Sequence, residues 1–199
     1  MNRSLTALRG TSSLAALGHG RALVLDGLLG DAQAMAVRAE VLALDEDGLL
    51  GPASRRGFGL DNDAPGHRSK WLNRDLLDPA VGAVVDLMDA AMVTLREHVD
   101  PGFGDLDVQI AVYDAGRGYQ RRRDAPHGDD QRRVTAIYYA NDWRPGDGGE
   151  LSLYDADGRC VRLVEPAADR LVLFLAPTEH AVRHVVRGPR VAVTGFLQP

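Results

Sequence analysis

The second half of the chain is a series of short, strand-like runs separated by turn residues, and this pattern limits the folds that the chain can adopt. The predicted strands are 107–113, 134–140, 150–154, 160–164, 170–175, 180–186 and 190–197. Residues two apart on a strand share a face, so each such run can bury one face against a core. Seven or more short strands with turn signals between them are typical of an antiparallel sandwich or barrel.

Two amphipathic helices precede these strands. The first follows Asp31, which we place at its N-cap, and its apolar stripe is Ala34, Val37, Val41 and Leu44. The second begins with Asp78 as cap and Pro79 as first helical residue, and its stripe is Val81, Val84, Met88, Met92, Leu95 and Val99. Because both helices come before the strands, we expect them to pack on one outer face of the sheets.

The segment 45–73 between the helices is rich in Gly, Asp, Pro and Arg, and we predict a long loop there. A loop of this length in a compact domain either covers a site or lies on the surface, and the sequence favours neither reading.

Composition restricts the setting in which the protein works. With 199 residues and 45% hydrophobic content we predict a single domain, with helical support and loops in 1–105 and the sheet core in 106–199. A net charge of −5 gives no general attraction to nucleic acid or to an anionic membrane, so we expect neither partner. The single cysteine, Cys160, fits a reducing compartment, and we expect a cytoplasmic protein.

Polar side chains that could form a site are spread over separate strands. Arg122 and Asp124 share one face of a run, and His180 and Arg190 lie on two later strands. Non-haem iron is held by two histidines and one carboxylate on one side of the metal, with positions left for a cosubstrate and oxygen. Arg190 could hold one end of a dicarboxylate through its guanidinium, with a hydroxyl from Thr194. Taken singly, each of these residues is more often a surface or structural polar group.

Several motifs occur in a fixed order and carry a resemblance to a known family. They are Gln109-Ile-Ala-Val-Tyr113, Gly118-Tyr119, Arg132-Arg-Val-Thr-Ala-Ile-Tyr-Tyr139, Asn141-Asp-Trp143, Gly148-Gly-Glu-Leu151, Asp169-Arg-Leu-Val172, Glu179-His180 and Arg190-Val-Ala-Val-Thr194. With them the chain resembles the prolyl-4-hydroxylase and hypoxia-type prolyl hydroxylase branch of the Fe(II)- and 2-oxoglutarate-dependent dioxygenases. The resemblance implies an α+β fold, a double-stranded β-helix or jelly roll with the N-terminal helices packed on one sheet.

The resemblance also implies roles for particular residues. Asp124 and His180 fall on iron ligands, and Arg190 falls on the residue that pairs with a carboxylate of 2-oxoglutarate. Tyr139 and Thr194 fall on positions that help to hold that cosubstrate, and Tyr113 falls on the wall of the same pocket. The implied cofactors are Fe(II) and 2-oxoglutarate, with ascorbate as a further candidate.

The chain departs from the family at position 122. The family has His-x-Asp where this chain has Arg122-Arg123-Asp124, and a guanidinium has no lone pair to offer a metal. A second His-x-Asp is present at His127-Gly128-Asp129, but the turn-forming residues around it make a poor strand, so we favour Asp124 as the carboxylate.

Three outcomes follow from this departure. His127 folds back as third ligand, or water completes an iron site of Asp124 and His180, or Arg122 takes the electrostatic role of the metal.

The leading functional hypothesis is therefore an enzyme that couples decarboxylation of 2-oxoglutarate to hydroxylation of a protein or peptide side chain, proline by analogy. The alternative is a catalytically inactive member that binds a partner or senses 2-oxoglutarate. A weaker alternative is a small-molecule oxygenase of a biosynthetic pathway. A protein or peptide substrate is the expected partner, and Arg132 or Arg133 either steers an acidic part of it or lies at the surface.

Overall fold

The computed structural model describes residue 17 and residues 21–55, 59–60, 67–98, 104–124 and 134–198, with the backbone alone at 54, 55, 59, 60 and 98. The helices are α1 (Asp31–Glu46) and α2 (Pro79–His98), with a short 3₁₀ helix at Arg74–Leu76. The strands are β1 (Leu23–Asp26), β2 (Gly51–Pro52), β3 (Ser54–Arg55), β4 (Gly59–Leu60), β5 (His67–Trp71), β6 (Leu106–Tyr113), β7 (Tyr119–Arg122), β8 (Val134–Tyr139), β9 (Leu151–Tyr154), β10 (Cys160–Val164), β11 (Arg170–Leu175), β12 (His180–Val182) and β13 (Arg190–Leu197).

Two antiparallel sheets contain most of these strands. The major sheet has seven strands in the order β1-β11-β8-β13-β6-β5-β2, and the minor sheet has four in the order β10-β9-β12-β7. Strands that are distant in sequence are neighbours in both sheets, so the topology is not a simple meander. The predicted antiparallel two-sheet architecture is present.

Strand alternation in the major sheet divides the core into two layers. On β13, Val191 and Val193 belong to the layer under the helices, whereas Ala192 belongs to the layer between the sheets. The inter-sheet layer also contains Leu151 and Leu153 from the minor sheet, so the two sheets pack face to face. Arg190 precedes Ala192 by two residues and therefore lies on the inter-sheet side, where the site is found.

Helices α1 and α2 cover the outer face of the major sheet, as predicted. Val37 and Val41 of α1 and Val84, Met88 and Leu95 of α2 are buried against it. Val99, the last residue of the predicted second stripe, lies outside the described residues.

The cap of α1 differs from the prediction, and residues distant in sequence provide acceptors at both helix starts. Gly30, not Asp31, is the N-cap of α1, and its N–H donates to the carboxylate of Asp169 at 2.7 Å. At the start of α2 the N–H groups of Ala80 and Val81 donate to the carboxylate of Glu40, each at 3.0 Å. Long-range carboxylates thus satisfy donors that a helix start leaves open.

Two predicted segments have different secondary structure. The presumed loop 45–73 contains β5, which pairs with β6 in the major sheet. The strand expected over 180–186 ends at Val182, after which Val185 makes only an isolated bridge to Gly148. In the described part of the chain no helix is long and apolar enough to cross a membrane.

Candidate functional site

Asp124 and His180 converge between the two sheets. His180 Nε2 lies 3.6 Å from Asp124 Oδ1, and the side chains are 1% and 7% exposed. His180 begins β12 of the minor sheet, and Asp124 follows the end of β7, with its backbone N–H donating to Ala176 O. The structure therefore brings together two of the three residues that the sequence predicts as metal ligands.

A hydrogen bond of Nδ1 determines which nitrogen of the His180 ring carries the proton. Nδ1 lies 3.0 Å from the carbonyl oxygen of Thr178, which can only accept, so Nδ1 carries a proton. Burial lowers the pKa of His180, the charge of Asp124 raises it and the charge of Arg122 lowers it further, so the imidazole is neutral near pH 7. The lone pair of Nε2 then faces a carboxylate oxygen, and two acceptors so placed are suited to a cation.

Thr135 orients the carboxylate of Asp124. Its hydroxyl donates to Asp124 Oδ2 at 2.8 Å from β8 of the major sheet. The sequence reading did not single out this threonine. The alternation of side chains along β8 could have identified it, because Thr135, Ile137 and Tyr139 occupy one face of this strand and that face lies between the sheets.

Arg122 lies directly across the sheet from His180. The two residues are Cα partners in the β7–β12 pairing, and Tyr119 pairs with Val182. Two residues of β7, Gln120 and Arg121, therefore lie opposite the single Ala181 of β12, and this bulge places Tyr119 and Arg122 on one face. The guanidinium carbon of Arg122 lies 4.0 Å from the centre of the Tyr119 ring, and that ring meets His180 edge-on at 5.7 Å. Arg122 therefore projects towards the Asp124–His180 pair.

Arg190 lies in the major sheet, and we refer to the group formed by Arg122, Asp124, His180, Arg190 and their aromatic neighbours as the pocket. The side chain of Arg190 is buried; Nε donates to Gly149 O at 2.9 Å and one terminal nitrogen donates to the hydroxyl of Tyr139 at 3.2 Å. The guanidinium carbon lies 4.8 Å from the Tyr113 ring and 4.9 Å from the Tyr139 ring. Arg190 thus contacts two of the other three residues predicted to bind a cosubstrate, Tyr113 and Tyr139.

The fourth, Thr194, lies farther along the same face of β13. It is half-buried, its Cα pairs with that of Ile137, and it is separated from Arg190 by Ala192 on the same face. No contact between Thr194 and Arg190 supports a shared role.

His67 is a pocket residue that the sequence did not reveal. It begins β5, inside the segment that was predicted as a loop, and it is buried. Its ring stacks on Tyr113 with centres 4.4 Å apart and an interplanar angle of 16°. Only the pairing of β5 with β6 places it there, because no local pattern marks 67–71 as a strand.

Burial determines the ionisation of the pocket tyrosines. Desolvation raises the pKa of Tyr113, Tyr119 and Tyr139, and the nearby charge of Arg190 acts against this in all three. Their hydroxyls are therefore neutral near pH 7, and that of Tyr139 accepts a hydrogen bond from Arg190.

The donor set does not complete a three-residue iron site within the described residues. Asp124 and His180 fit a cation, but no group of three His, Cys, Asp or Glu side chains suited to a metal occurs in the described ranges. The position across from His180 belongs to a guanidinium, which cannot be a ligand. His127, the predicted third ligand, and Arg132 and Arg133 lie outside the described residues.

Known proteins resemble this chain in sequence and in fold. The family model of the 2OG-Fe(II) oxygenase superfamily matches residues 108–198. A prolyl-4-hydroxylase from Pseudomonas putida has 30% sequence identity and a TM-score of 0.82, covering 98% of both chains. A prolyl hydroxylase from Trichoplax adhaerens, solved with a hypoxia inducible factor peptide fragment, has a TM-score of 0.84 at 23% identity and covers 98% of this chain and 90% of that one.

A curated relative covers less of its own length. Human Egl nine homolog 1 is 29% identical over 162 residues, which are 76% of this chain and 37% of that protein. The chain thus spans well under half of this relative.

The structural matches confirm the predicted jelly-roll fold. The family's cofactors are Fe(II) and 2-oxoglutarate, and its matched members are prolyl hydroxylases at modest identity. With 30% identity to a solved prolyl-4-hydroxylase over nearly the whole of both chains, this chain belongs to the 2OG-Fe(II) oxygenase superfamily.

Proposed function

We propose that this chain is a 2-oxoglutarate-dependent oxygenase that hydroxylates a side chain of a protein or peptide, with proline as the target residue. The observation that carries the proposal is the buried guanidinium of Arg190, held by Gly149 O and Tyr139 at the back of the inter-sheet pocket. The choice of a prolyl substrate rests on analogy with the prolyl hydroxylases that the chain resembles.

Arg190 suits the far carboxylate of a five-carbon oxo-diacid. A guanidinium offers a planar fork that matches a carboxylate with two parallel hydrogen bonds. Nε is already used by Gly149 O, which fixes the plane of the fork, and the Tyr113 and Tyr139 rings shield it from water. Because the site is buried, the charge–charge attraction is stronger than it would be in water.

The proposed metal ligands are Asp124, His180 and His127. The first two converge in the structure at 3.6 Å, with Thr135 and the Thr178 carbonyl orienting them. The third, His127, lies in the segment 125–133. Hydroxylation by this chain therefore depends on a donor that the described residues do not provide.

Metal analysis combined with a turnover assay tests this function. Wild type, His127→Ala and Arg122→His are loaded with Fe(II), and bound iron and succinate release from 2-oxoglutarate are measured. We expect wild type to bind iron and turn over, and His127→Ala to lose both. If wild type does neither while Arg122→His does both, the chain is not an active oxygenase.

Substrate class needs a separate assay. Proline-containing peptides, the same peptides with alanine in place of proline, and free amino acids are compared for stimulation of 2-oxoglutarate turnover and for a 16 Da mass increase. We expect only the proline peptides to be hydroxylated. Hydroxylation of free amino acids alone would instead identify a small-molecule oxygenase.

A second candidate function is a binding module without oxygenase chemistry. Arg122 favours it, because this residue lies across from His180 and its charge acts on the His180 ring together with that of Asp124. In that case the pocket keeps its ligand-binding wall at Arg190 and the fold serves to bind a small acid or a partner. The iron measurement on wild type separates the two candidates.

A further inference from the structure

Arg122 places a second guanidinium in the pocket, at the end opposite Arg190. In a regular strand Tyr119 and Arg122, which are three residues apart, would lie on opposite faces. The bulge opposite β12 instead places Arg122 on the same inner face as Tyr119. By contrast, Arg121 stacks on Tyr154 at 3.9 Å and pairs with Glu179 at the surface. Adjacent arginines of one strand therefore have different surroundings, and only Arg122 lies with the pocket aromatics.

The chain places a cation of its own across from the Asp124–His180 pair. His180 Nε2 lies 3.6 Å from Asp124 Oδ1, and Nδ1 of the same ring lies 3.0 Å from the Thr178 carbonyl oxygen. Arg122 faces this pair from β7, where it is the Cα partner of His180. A divalent metal at the same place would have to bind beside a fixed guanidinium, which opposes it by like-charge repulsion.

The two guanidiniums lie at the ends of a continuous aromatic wall. Arg190 is 4.8 Å from the Tyr113 ring, the Tyr113 and Tyr119 ring centres are 6.2 Å apart, and Tyr119 is 4.0 Å from Arg122. An extended five-carbon dicarboxylate with a guanidinium at each end spans about 13 Å, from bond lengths and charged hydrogen-bond distances. The three distances set an upper limit on the separation of the two guanidinium carbons, and the span of the bound dicarboxylate lies below that limit.

The charges of the pocket also favour an acidic ligand. Arg122 and Arg190 provide two positive charges, and Asp124 provides one negative charge. The charges of both guanidiniums act on Tyr113 and on Tyr119, so both cations lie near the same two rings. A small dicarboxylate can meet one guanidinium with each end.

We propose that this pocket binds a short dicarboxylate, of the 2-oxoglutarate or glutarate class, without any metal, with one carboxylate on Arg190 and the other on Arg122. The proposal rests on the second function above, since it assigns to Arg122 the place that iron would need. In a metal-dependent site the 2-oxo group matters because it chelates the metal. In the two-guanidinium site it contributes little, because both ends are held as carboxylates.

Calorimetric titration in excess EDTA tests this directly. The ligands are 2-oxoglutarate, glutarate, which lacks the oxo group, and 2-oxopentanoate, which lacks one carboxylate. We expect 2-oxoglutarate and glutarate to bind with comparable affinity, and 2-oxopentanoate to bind about ten- to hundredfold more weakly through loss of one charged contact.

Variants identify the two ends. Arg122→Gln and Arg190→Gln should each weaken glutarate binding about ten- to hundredfold. Arg121→Gln is the matched control, since it removes a tyrosine-stacked arginine from the same strand but from the surface, and it should leave the affinity unchanged. Thermal unfolding of each variant identifies loss of fold, and Arg122→Lys provides a second variant that keeps the charge.

Three results would overturn the proposal. They are binding of 2-oxoglutarate only when a divalent metal is present, equal binding of 2-oxopentanoate and 2-oxoglutarate in EDTA, and unchanged glutarate affinity in a folded Arg122→Gln. None of these depends on turnover. A chain that hydroxylates peptides but binds no glutarate in EDTA contradicts this inference alone, whereas glutarate binding without any turnover contradicts the oxygenase function alone.

Discussion

Thr135 and Thr178 are two buried threonines beside the Asp124–His180 pair, and their hydroxyls have different environments. Thr135 donates to Asp124 Oδ2, whereas the Thr178 hydroxyl has no hydrogen-bond partner among the described residues. Replacing a buried donor leaves its acceptor partly unsatisfied, while removing an unpaired hydroxyl relieves a desolvation cost. The same substitution should therefore have opposite effects at the two positions.

We expect Thr135→Val to lower the free energy of unfolding by about 1–3 kcal/mol. Thr178→Val, the matched control, should be neutral or stabilising because valine keeps the shape and removes the unpaired group. Urea unfolding at pH 7 measures both. Equal destabilisation by the two variants would show that packing, and not the bond to Asp124, sets the cost.

At the scale of elements, the pairing of β7 with β12 places Arg122 across from His180. Gly118, just before β7, permits the two strands to approach this closely. A Cβ at Gly118 would lie 2.5 Å from Val182 O and 3.0 Å from Arg183 O, both backbone atoms that cannot move alone. We expect Gly118→Ala to destabilise the fold by about 1–3 kcal/mol, as an overpacked site does. It should also weaken ligand binding, since β7 must shift away from β12.

Gly51→Ala is the control for this prediction, because a Cβ there meets nothing within 4 Å. Thermal unfolding and ligand titration compare the two variants. Unchanged binding and stability in Gly118→Ala would mean that the close approach of the two strands is not required.

The start of α1 depends on the carboxylate of Asp169, which accepts from Leu29 N, Gly30 N and the Tyr138 hydroxyl. Asp169 has φ 54, a conformation that asparagine tolerates, so Asp169→Asn changes the charge without adding backbone strain. An amide has only one acceptor oxygen, and at least one of the three donors loses its bond. We expect a loss of about 1–3 kcal/mol in the free energy of unfolding.

Asp26→Asn is the comparison for Asp169→Asn, since Asp26 pairs with Arg170 while largely exposed and such pairs contribute little. Urea unfolding of both proteins gives the difference. A similar small loss in each would indicate that α1 does not rely on the buried carboxylate.

The sequence predicted these elements unevenly. Strands β10, β11 and β13 have the predicted bounds, because each is a run of β-forming residues between turn signals. Strand β5 was not predicted, since 67–71 is mostly polar and becomes a strand only by pairing with β6. The cap of α1 was misplaced by one residue because Asp169, about 140 positions away, provides the acceptor.

For the whole molecule, the buried tyrosines predict sensitivity to alkali. Burial, followed by the charge of Asp169, raises the pKa of Tyr138, and burial raises that of Tyr113, Tyr119 and Tyr139. In the unfolded chain these groups lose their protons near pH 10, while in the folded protein they keep them. Their contribution to stability is therefore complete below about pH 10 and is lost as the pH rises towards the folded-state pKa values.

We expect the urea midpoint to fall steadily above about pH 10. Tyr138→Phe should be less stable than wild type at pH 7, because it loses the bond to Asp169, but its midpoint should fall less steeply in alkali. Parallel slopes for the two proteins would exclude Tyr138 as a source of the alkaline loss.

The sequence by itself determined the class of fold and predicted part of the pocket, but it did not reveal His67 or Thr135. The strand runs and two apolar stripes predicted an antiparallel two-sheet fold with helices on one face, because burial periodicity is local. The motif order predicted that Asp124, His180, Arg190, Tyr139 and Tyr113 belong to one site.

Only the tertiary structure decided how that site is arranged. A bulge in β7 turns Arg122 towards His180, β5 brings His67 onto Tyr113, and Thr135 orients Asp124 from the opposite sheet. Each of these depends on strand register between segments far apart in the chain, and register is set by pairing partners that a single run of sequence does not contain.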